Sequence, residues 1–402
     1  MLVVRVFVPF ACGYYLSYLY RTVNAVISPD LMRDLGLDAN ELGLLTSAYF
    51  LAFAAFQLPL GVLLDRLGPR RVDAGLLALA GLGALVFAHS GSPGGLVLGR
   101  ALIGLGVSAA LMASMKAFTL WFPLARFASF NGYLMAIGGL GALSASAPVE
   151  AALHYTDWRG VFEVLAGSTF CAAGGILLVV PERVAANGGP GAAEMLQGVA
   201  RVFRDEGFWR VAAACMTVNG SFMAIQGLWV GPWLRDVAGL PRDVVANELL
   251  LMAIAMTAGF AFFGWAADRF ESAGWGARRL FMIGTLVSVG GLALVAAGVT
   301  AGALAIWLAI NFASPAAALA YAMLSRRFPA DLAGRVTTAL NFLVFVGAFA
   351  MQWGLGAIIS LWPAQNDQYP LVAYRTAFGA SLAFQFAAVA WFIAGRRRLA
   401  GA

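Results

Sequence analysis

The sequence contains few charged residues and a single lysine, Lys116: only 11% of its 402 residues are Asp, Glu, Lys or Arg. Soluble domains carry about 25% charged residues, and no long polar stretch interrupts this chain, so a large soluble domain and a disordered chain are both excluded. With 61% hydrophobic residues and a mean hydropathy of +0.82, the composition predicts a protein that crosses a membrane many times. The basic residues lie scattered between apolar runs, so the net charge of +6 does not indicate nucleic acid binding.

Cysteine and histidine are also scarce. Cys12, Cys171 and Cys215 all fall in apolar segments, at no metal-binding spacing and with no disulfide framework. The sequence has no nucleotide-binding motif and no His/Asp/Glu constellation inside its apolar segments. We therefore expect neither a cofactor nor an enzyme. The N-terminal apolar stretch has no small-residue cleavage site, so it is interpreted as a retained first span.

Twelve apolar segments approach the roughly 20 residues that a membrane-spanning helix needs. They predict an all-α membrane protein with twelve transmembrane helices, over residues 4–28, 41–64, 72–90, 95–117, 127–150, 159–181, 208–233, 244–267, 279–298, 302–324, 333–360 and 372–395. The longest connection is rich in Gly and Pro and lies at the midpoint. It predicts an N-terminal six-helix bundle over 1–181, a central loop over 182–207 and a C-terminal six-helix bundle over 208–402.

The distribution of arginines predicts the orientation. If both termini face the cytoplasm, most of the 26 basic residues fall in cytoplasmic segments, as the positive-inside rule requires. The central loop is then cytoplasmic too. The Arg-rich, Lys-poor usage suggests a bacterial gene. We therefore expect a multi-pass monomer in a bacterial cytoplasmic (inner) membrane, in contact with lipid and not with nucleic acid.

The two halves of the chain repeat one another. GVLLDRLGPRR begins at Gly61 and GWAADRFESAGWGARR at Gly264, and Pro29 and Pro232 are separated by the same offset of 203 residues. A duplicated six-helix unit predicts two pseudo-symmetric bundles, and repeated halves of this kind build transporters with a central site.

The loop after the second span resembles the signature of the major facilitator superfamily, Gly-x-x-x-Asp-Arg-x-Gly-x-Arg-Arg. Its counterparts in this chain are Gly61, Asp65, Arg66, Gly68, Arg70 and Arg71, with a degenerate second copy at Asp268 and Arg269. Arg100, Gly104 and Gly106 on the fourth span resemble the second motif of the family. The resemblance implies a transporter that works by alternating access, with the first motif as a latch for one access state. The alternative interpretation is a basic loop that only anchors the topology.

The third family motif, a Gly-Pro pair typical of proton antiporters, is missing from the fifth span. GGLGALSASAP, from Gly138 to Pro148, is rich in glycine but lacks the Gly-Pro-x-x-Gly pattern. Drug/proton antiport is therefore the less favoured alternative.

A polar stripe on the first span is the candidate substrate site. Residues spaced i, i+3, i+4 and i+7 share a helix face, and on this span they are Tyr14, Tyr18, Arg21, Asn24 and Ser28. A buried unpaired arginine is costly in lipid, so Arg21 is expected to face protein or water and to have a function. The equivalent stripe on the seventh span contains Asn219, Met223, Gln226, Val230 and Trp233. The tyrosines alternatively anchor the helix at the membrane interface.

The charges in the spans predict the sign of the substrate. All twenty acidic residues fall in loops or within about a turn of a span's end, Asp73 among them, whereas Arg21, Arg100 and Lys116 lie deeper. Positive charge without a matching acid attracts anions, and the arginine fork suits carboxylate or phosphate. Each basic residue has an alternative: Arg100 orders helices or assists proton transfer, Lys116 extends to the interface, and Arg21 pairs with Asp30 or Asp34.

These patterns predict a secondary transporter for a small organic, anionic solute, coupled to protons or working by exchange. One alternative is a Cu(I) importer, because Met252 and Met256 on span eight and Cys215, Met216 and Met223 on span seven carry soft sulfur ligands. Methionine is also ordinary core filling. A membrane sensor or a lipid-modifying enzyme on the same scaffold is a further alternative, because fold alone does not establish function.

Overall fold

The protein is almost entirely helical. The computed structural model describes residues 2–123, 126–183, 192–271, 276–329, 332–365 and 367–395. Among these residues no β-strand forms, apart from an isolated bridge between Gln365 and Gln368. The prediction of an all-α membrane protein is confirmed.

The helices of the first half follow the predicted spans. They are α1 (Leu2–Thr22), α2 (Asn24–Leu35), α3 (Ala39–His89), α4 (Pro93–Gly106), α5 (Ala110–Trp121), α6 (Phe127–Ser144), α7 (Ala147–Leu153) and α8 (Trp158–Val179).

The second half begins with a short helix from the central loop. Its elements are α9 (Ala192–Phe203), α10 (Glu206–Ala224), a π-helical turn (Ile225–Trp229), α11 (Val230–Asp236), α12 (Arg242–Glu271), α13 (Ala277–Ala296), α14 (Ala303–Ala313), a 3₁₀ turn (Ser314–Ala318), α15 (Leu319–Arg327), α16 (Ala333–Ile359) and α17 (Leu371–Ala394).

The described residues contain 11 helical segments that are long and apolar enough to cross a membrane. One of them, Ala39–His89, has 51 residues, a length of about 76 Å at 1.5 Å per residue, which suffices for two crossings of a core about 30 Å thick. Gly68 divides it, with φ 78 and ψ 158, a conformation that residues with a Cβ rarely adopt. The predicted second and third spans lie on either side of this glycine, so the count agrees with twelve spans.

Short polar side chains begin several helices. Ser92 accepts a hydrogen bond from the Gly95 amide at 3.3 Å, and Asp157 accepts one from the Gly160 amide at 2.9 Å. These bonds satisfy amides that the helix itself leaves unpaired.

Asp205 caps α10 and also binds an arginine. It accepts a hydrogen bond from the Phe208 amide at 2.6 Å, and Nε of Arg327 lies 3.1 Å from its carboxylate. Partial burial acts to raise the pKa of Asp205, but the hydrogen bonds from Arg327 and Phe208 outweigh it and hold that pKa below its usual value. The cap and the ion pair therefore act on one carboxylate.

The chain forms two compact units. The first unit comprises Met1–Leu37 and Leu44–Glu194, and the second comprises Asp38–Gly43 and Met195–Ala402. The boundary near residue 194 falls inside the predicted central loop. The bundle bounds given in the sequence analysis stay a prediction.

Aromatic clusters fill the interior of the first unit. Phe118, Phe122 and Phe130 pack together, with the rings of Phe122 and Phe130 stacked at 4.1 Å between centroids. The rings of Phe87 and Phe162 lie 4.3 Å apart. Such contacts add to the stabilisation that comes from burying their area.

The second unit has a continuous apolar core built from α10, α13, α15 and α16. Phe208, Phe281 and Val336 are fully buried in it, and Cys215 lies in the same cluster. Side chains of Met216 and Met223 pack against its edge.

The first membrane helix of each unit is divided at the same relative position. Val23 separates α1 from α2, where the Thr22 hydroxyl donates to the Tyr18 carbonyl at 3.0 Å. The π turn Ile225–Trp229 contains Gln226, which follows Val23 by the repeat offset of 203. A π turn of this kind is frequent at functional positions, whereas Val23 keeps helical φ and ψ of −56 and −31.

Candidate functional site

Arg21 lies among aromatic rings of the first unit. Its guanidinium carbon is 4.7 Å from the centroid of the Tyr18 ring and 5.6 Å from that of Phe53. The Tyr49 side chain also hydrogen-bonds Arg21. Cation–π contacts of this kind hold a guanidinium in place while its charge remains available to a ligand.

The two acids proposed as alternative partners of Arg21 both bind Arg33. Arg33 lies 2.9 Å from the Asp30 carboxylate and 3.3 Å from that of Asp34. Asp34 in addition accepts a hydrogen bond from the Trp158 indole at 3.0 Å. Pairing of Arg21 with Asp30 or Asp34 stays an alternative prediction.

The two tyrosines of the stripe contact each other. The rings of Tyr14 and Tyr18 meet edge to face with 5.2 Å between centroids, and the Tyr14 hydroxyl donates to the Met135 sulfur at 3.4 Å. Tyr14 is buried and Tyr18 is half-buried. Because these contacts are intramolecular, they favour a position inside the bundle over the interfacial anchoring that was the alternative.

The end of the stripe that contains Asn24 and Ser28 is buried by other protein atoms. Asn24 is fully buried and donates to the Thr46 hydroxyl at 3.1 Å. Ser28 is fully buried as well. Asn24 therefore joins α2 to α3 in this structure, and its predicted role as a substrate ligand remains untested.

Two residues of α3 complete the surroundings of Arg21 and were missed by the sequence reading. Tyr49 and Phe53 stack with 6.1 Å between centroids. They are four residues apart and so share a helix face, with Gln57 next in the same series. That periodicity was the available signal.

Arg100 holds helices together. It is 1% exposed, donates to the Tyr20 carbonyl at 3.0 Å and lies 5.1 Å from the Tyr49 ring centroid. A Cβ at Gly104, one turn further along α4, would lie 2.1 Å from the Tyr49 carbonyl oxygen. The geometry of the second motif thus favours the helix-ordering interpretation of Arg100.

The first motif joins the ends of several helices of the first unit. Lys116 Nζ is 2.7 Å from the Asp65 carboxylate. Arg70 Nε donates to the Leu177 carbonyl at 3.0 Å, and both Arg70 and Arg71 pair with Glu182. These contacts favour a latch over a mere topology anchor, and they assign Lys116 to the motif more readily than to a substrate.

The remaining motif residues are placed as follows. Gly61 is half-buried, and Arg66 and Arg269 are exposed. The side chain of Asp268 lies outside the described residues. The latch role of both copies stays a prediction.

The second unit contains a small cavity of about 20 Å³, and Gln226 lines it. Its other polar lining side chains are neutral hydroxyls and amides, namely Ser221, Ser288, Asn311, Ser314 and Gln385. Ser381 donates to Ser221 at 2.9 Å and accepts from Gln385 at 3.1 Å. Such a lining can donate and accept hydrogen bonds without favouring either sign of charge.

Asn311 is the most restricted polar group of this cavity. Its amide nitrogen donates to the Trp307 carbonyl at 2.9 Å, and its Oδ1 is buried with no hydrogen-bond partner among the described residues. A buried acceptor left unsatisfied costs free energy. It is therefore a natural acceptor for a hydroxyl or amine of a bound solute.

The rest of the predicted stripe on the seventh span does not share one environment. Asn219 and Met223 are half-buried, and Met223 packs against the apolar core. Trp233 is fully buried and meets Trp307 edge to face at 5.7 Å. Of the four predicted ligands, Gln226 alone lines the cavity.

The sulfur-bearing side chains of the second unit are buried in its apolar interior. Met252 and Met256 are 0% and 6% exposed, and the Cys215 thiol donates to the Ala317 carbonyl at 3.6 Å. This placement favours core filling over the Cu(I) alternative.

Asp73 departs from the expected distribution of acids. Although it begins a predicted span, it is 0% exposed, and both carboxylate oxygens are buried without a hydrogen-bond partner among the described residues. The expectation that acids near span ends face water is wrong for this residue, because three helices of the first unit cover it.

Comparison with known proteins identifies the class. The family model of the Major Facilitator Superfamily matches residues 10–352, most of the chain, so the protein belongs to this superfamily. A bacterial homologue of the human lysosomal transporter Spinster, solved in an inward-facing and occupied conformation, superposes with a TM-score of 0.79 and 17% identity over 98% of this chain and 96% of that one. This similarity establishes the fold.

Two curated relatives are similar over part of the chain. The protein named "Probable sulfoacetate transporter SauU" of Cupriavidus necator is 30% identical over 152 residues, 38% of this chain and 35% of its own length. The hexuronate transporter of Escherichia coli K12 is 29% identical over 158 residues, 39% of this chain and 37% of its own. The match therefore spans about a third of each relative. By family, the protein is a multi-span membrane protein of a transporter class and not an enzyme.

Proposed function

We propose that the protein is a secondary transporter that moves a small organic anion across the bacterial cytoplasmic membrane by alternating access. The observation that carries the proposal is Arg21, whose guanidinium is held by aromatic side chains in the first unit. Sulfoacetate and hexuronates, the solutes in the relatives' names, are organic anions. Both lines of reasoning lead to the same substrate class.

Arg21 binds the carboxylate or sulfonate in this proposal. Its planar fork donates two parallel hydrogen bonds to such a group, and the ring faces of Tyr18 and Phe53 keep the side chain from folding back into solvent. The neutral cavity of the second unit, with Gln226 and Asn311, offers uncharged hydrogen-bonding groups for a polar solute.

The orientation and the driving force are part of the proposal. Both termini face the cytoplasm, in keeping with the arginine distribution, and the protein works as a monomer. Transport is coupled to protons or proceeds by exchange.

Counterflow into proteoliposomes tests the substrate class. Purified protein is assayed with labelled D-glucuronate and sulfoacetate as anions, glucose as a neutral solute and tetraphenylphosphonium as a cation. We expect uptake of an anion in preference to the other two. Preferential uptake of the cation would contradict the proposal.

Variants at two arginines test the assignment. Charge-assisted hydrogen bonds contribute about 1.5–3 kcal/mol, so Arg21→Ala should weaken anion binding roughly 10- to 100-fold. Arg33→Ala is the matched control, because Arg33 is an arginine of the adjacent helix whose side chain is 66% exposed and paired with acids. An equal loss of anion affinity in both variants would contradict the assignment of Arg21 as the anion ligand.

A further inference from the structure

Asp73 is a carboxylic acid enclosed by the first unit, five residues beyond the break at Gly68. Its side chain is 0% exposed, and neither oxygen has a hydrogen-bond partner among the described residues. Oδ2 lies 3.7 Å from the position that a Cβ on Gly13 would occupy, and Ile176 Cδ1 lies 3.9 Å from the same position. The carboxyl group thus sits where α1, α3 and α8 converge.

The residues one helical turn from the Gly13 and Ile176 contact on α1 and α8 are not ionisable. One turn to either side of Gly13 on α1, and one turn before Ile176 on α8, the residues are Pro9, Phe10, Leu16, Ser17, Ala172 and Ala173. On its own helix, Leu77 follows Asp73 by one turn and lies in the same contact.

The nearest charged residues in the chain are committed elsewhere. Arg70, one turn before Asp73, donates to the Leu177 carbonyl at 3.0 Å and pairs with Glu182 at 3.5 Å. Arg71 pairs with Glu182 as well. On α1 the titratable neighbours of Gly13 are the exposed thiol of Cys12 and the phenol of Tyr14, whose hydroxyl donates to the Met135 sulfur at 3.4 Å. These residues form an ionic cover about one helical turn from the buried acid.

An ionised carboxylate in such a place would have neither water nor a partner, and a group in that position takes up a proton instead. We propose that Asp73 is a proton-binding site of the first unit, neutral while the three helices enclose it. It releases its proton as Asp73–COOH → Asp73–COO⁻ + H⁺ when the contacts with α1 and α8 open to water.

This site supplies the proton-carrying group that a proton-coupled form of the transport function needs, so its role in coupling rests on the proposed function. The latch residues Arg70 and Arg71 cover the same end of the helix. Rupture of their pairs with Glu182 would admit water to Asp73, which would link the proton step to a change of access state.

Infrared spectroscopy tests the proton site without any substrate. In purified wild-type protein at neutral pH, we expect the carbonyl stretch of a protonated carboxylic acid, sensitive to H₂O/D₂O exchange and absent from the difference spectrum of Asp73→Asn. Identical spectra for the two proteins would overturn the proposal. If the variant does not fold, infrared spectra of the wild type at several pH values test the proposal alone. Absence of the protonated-acid band throughout the neutral range would also overturn it.

Proteoliposomes loaded with D-glucuronate or sulfoacetate, whichever the wild type carries, test the coupling. Asp73→Asn mimics the neutral acid, so counterflow, which needs no net proton movement, should persist. Accumulation driven by an imposed pH gradient should be lost. Gradient-driven accumulation at the wild-type level in Asp73→Asn would overturn the coupling role. If the wild type carries neither anion, the proposed function fails, whereas the infrared result still decides the proton site.

Discussion

The two units are built on one repeat, yet they place different chemistry at equivalent positions. The first helix of unit one carries Arg21, which is held by the rings of Tyr18 and Phe53. The first helix of unit two has a π turn with Gln226, which opens onto a cavity lined by neutral amides and hydroxyls. After the duplication, one copy kept or gained the charge and the other provides hydrogen bonds without charge.

This difference implies a division of labour in recognition. A guanidinium discriminates by sign, because it binds anions and repels cations. Neutral amides and hydroxyls discriminate by the position of donors and acceptors, because an unmatched buried polar group is costly.

Alanine substitutions at the closest helix crossings should give the largest loss of stability. They test whether helices pack equally tightly within each of the two units. A Cβ at Gly104 would lie 2.1 Å from the Tyr49 carbonyl oxygen, and one at Gly259 would lie 2.2 Å from that of Phe312. Because backbone must shift in both cases, Gly104→Ala and Gly259→Ala should each destabilise by roughly 1–3 kcal/mol. Thermal unfolding in detergent measures the effect.

Glycines in open positions are the matched controls for these crossings. A Cβ at Gly167 in unit one or at Gly264 in unit two would meet nothing within 4 Å. Alanine favours the helix over glycine by about 1 kcal/mol, so both controls should melt at or above the wild-type temperature. Melting of the crossing variants at the control temperature would refute the packing argument.

The neutral side of the comparison is tested at Gln226. Gln226→Leu removes one uncharged hydrogen-bonding group from the cavity, and such a bond contributes about 0.5–1.5 kcal/mol. We expect anion affinity to fall roughly 2- to 10-fold, less than for Arg21→Ala, with altered preference among anions that differ in hydroxyl groups. Gln365→Leu, at an exposed glutamine, is the control. A larger loss of anion affinity in Gln226→Leu than in Arg21→Ala would contradict the proposal that Arg21 provides the main interaction with the anion.

The smallest expected change is the loss of stability when Lys116 is replaced. This prediction tests whether Arg21, and not Lys116, supplies the anion-binding charge. Lys116 and Asp65 are 32% and 25% exposed in their side chains, so their pairing should stabilise by no more than about 1 kcal/mol. A double-mutant cycle with Lys116→Met and Asp65→Asn should show this coupling in thermal stability. Anion affinity should be unchanged in Lys116→Met, and a tenfold loss there would return Lys116 to the substrate site.

Several features of the fold followed directly from the sequence. The twelve spans could be predicted because each is a run of about 20 apolar residues, and the repeat because its motifs keep one spacing. The tyrosine and arginine stripe on α1 was predictable because that helix stays regular from Tyr14 to Arg21.

The predicted stripe on the seventh span crosses a π turn. A π turn closes its hydrogen bonds one residue later than an α-helix, so the face of the helix rotates by about 100° at Ile225–Trp229. Positions drawn through that turn at α-helical spacing diverge, which is why Gln226 lines the cavity whereas Trp233 packs on Trp307. The amino-acid composition around this position does not indicate a π turn.

The position of Asp73 along its helix could be predicted from the sequence, but its burial could not. Its position near a helix end suggests contact with water, and only the approach of α1 at Gly13 and of α8 at Ile176 encloses it. Those contacts are long-range in the chain, so no spacing rule reveals them.

The solitary lysine gives this molecule an unusual chemical handle. The amine of Lys116 is engaged by Asp65, and an acylating reagent attacks only an amine that has left its partner and lost its proton. The rate of its modification, read at Lys116 by mass spectrometry to separate it from the terminal amine, would therefore count the openings of the loop without an engineered probe or a competing lysine.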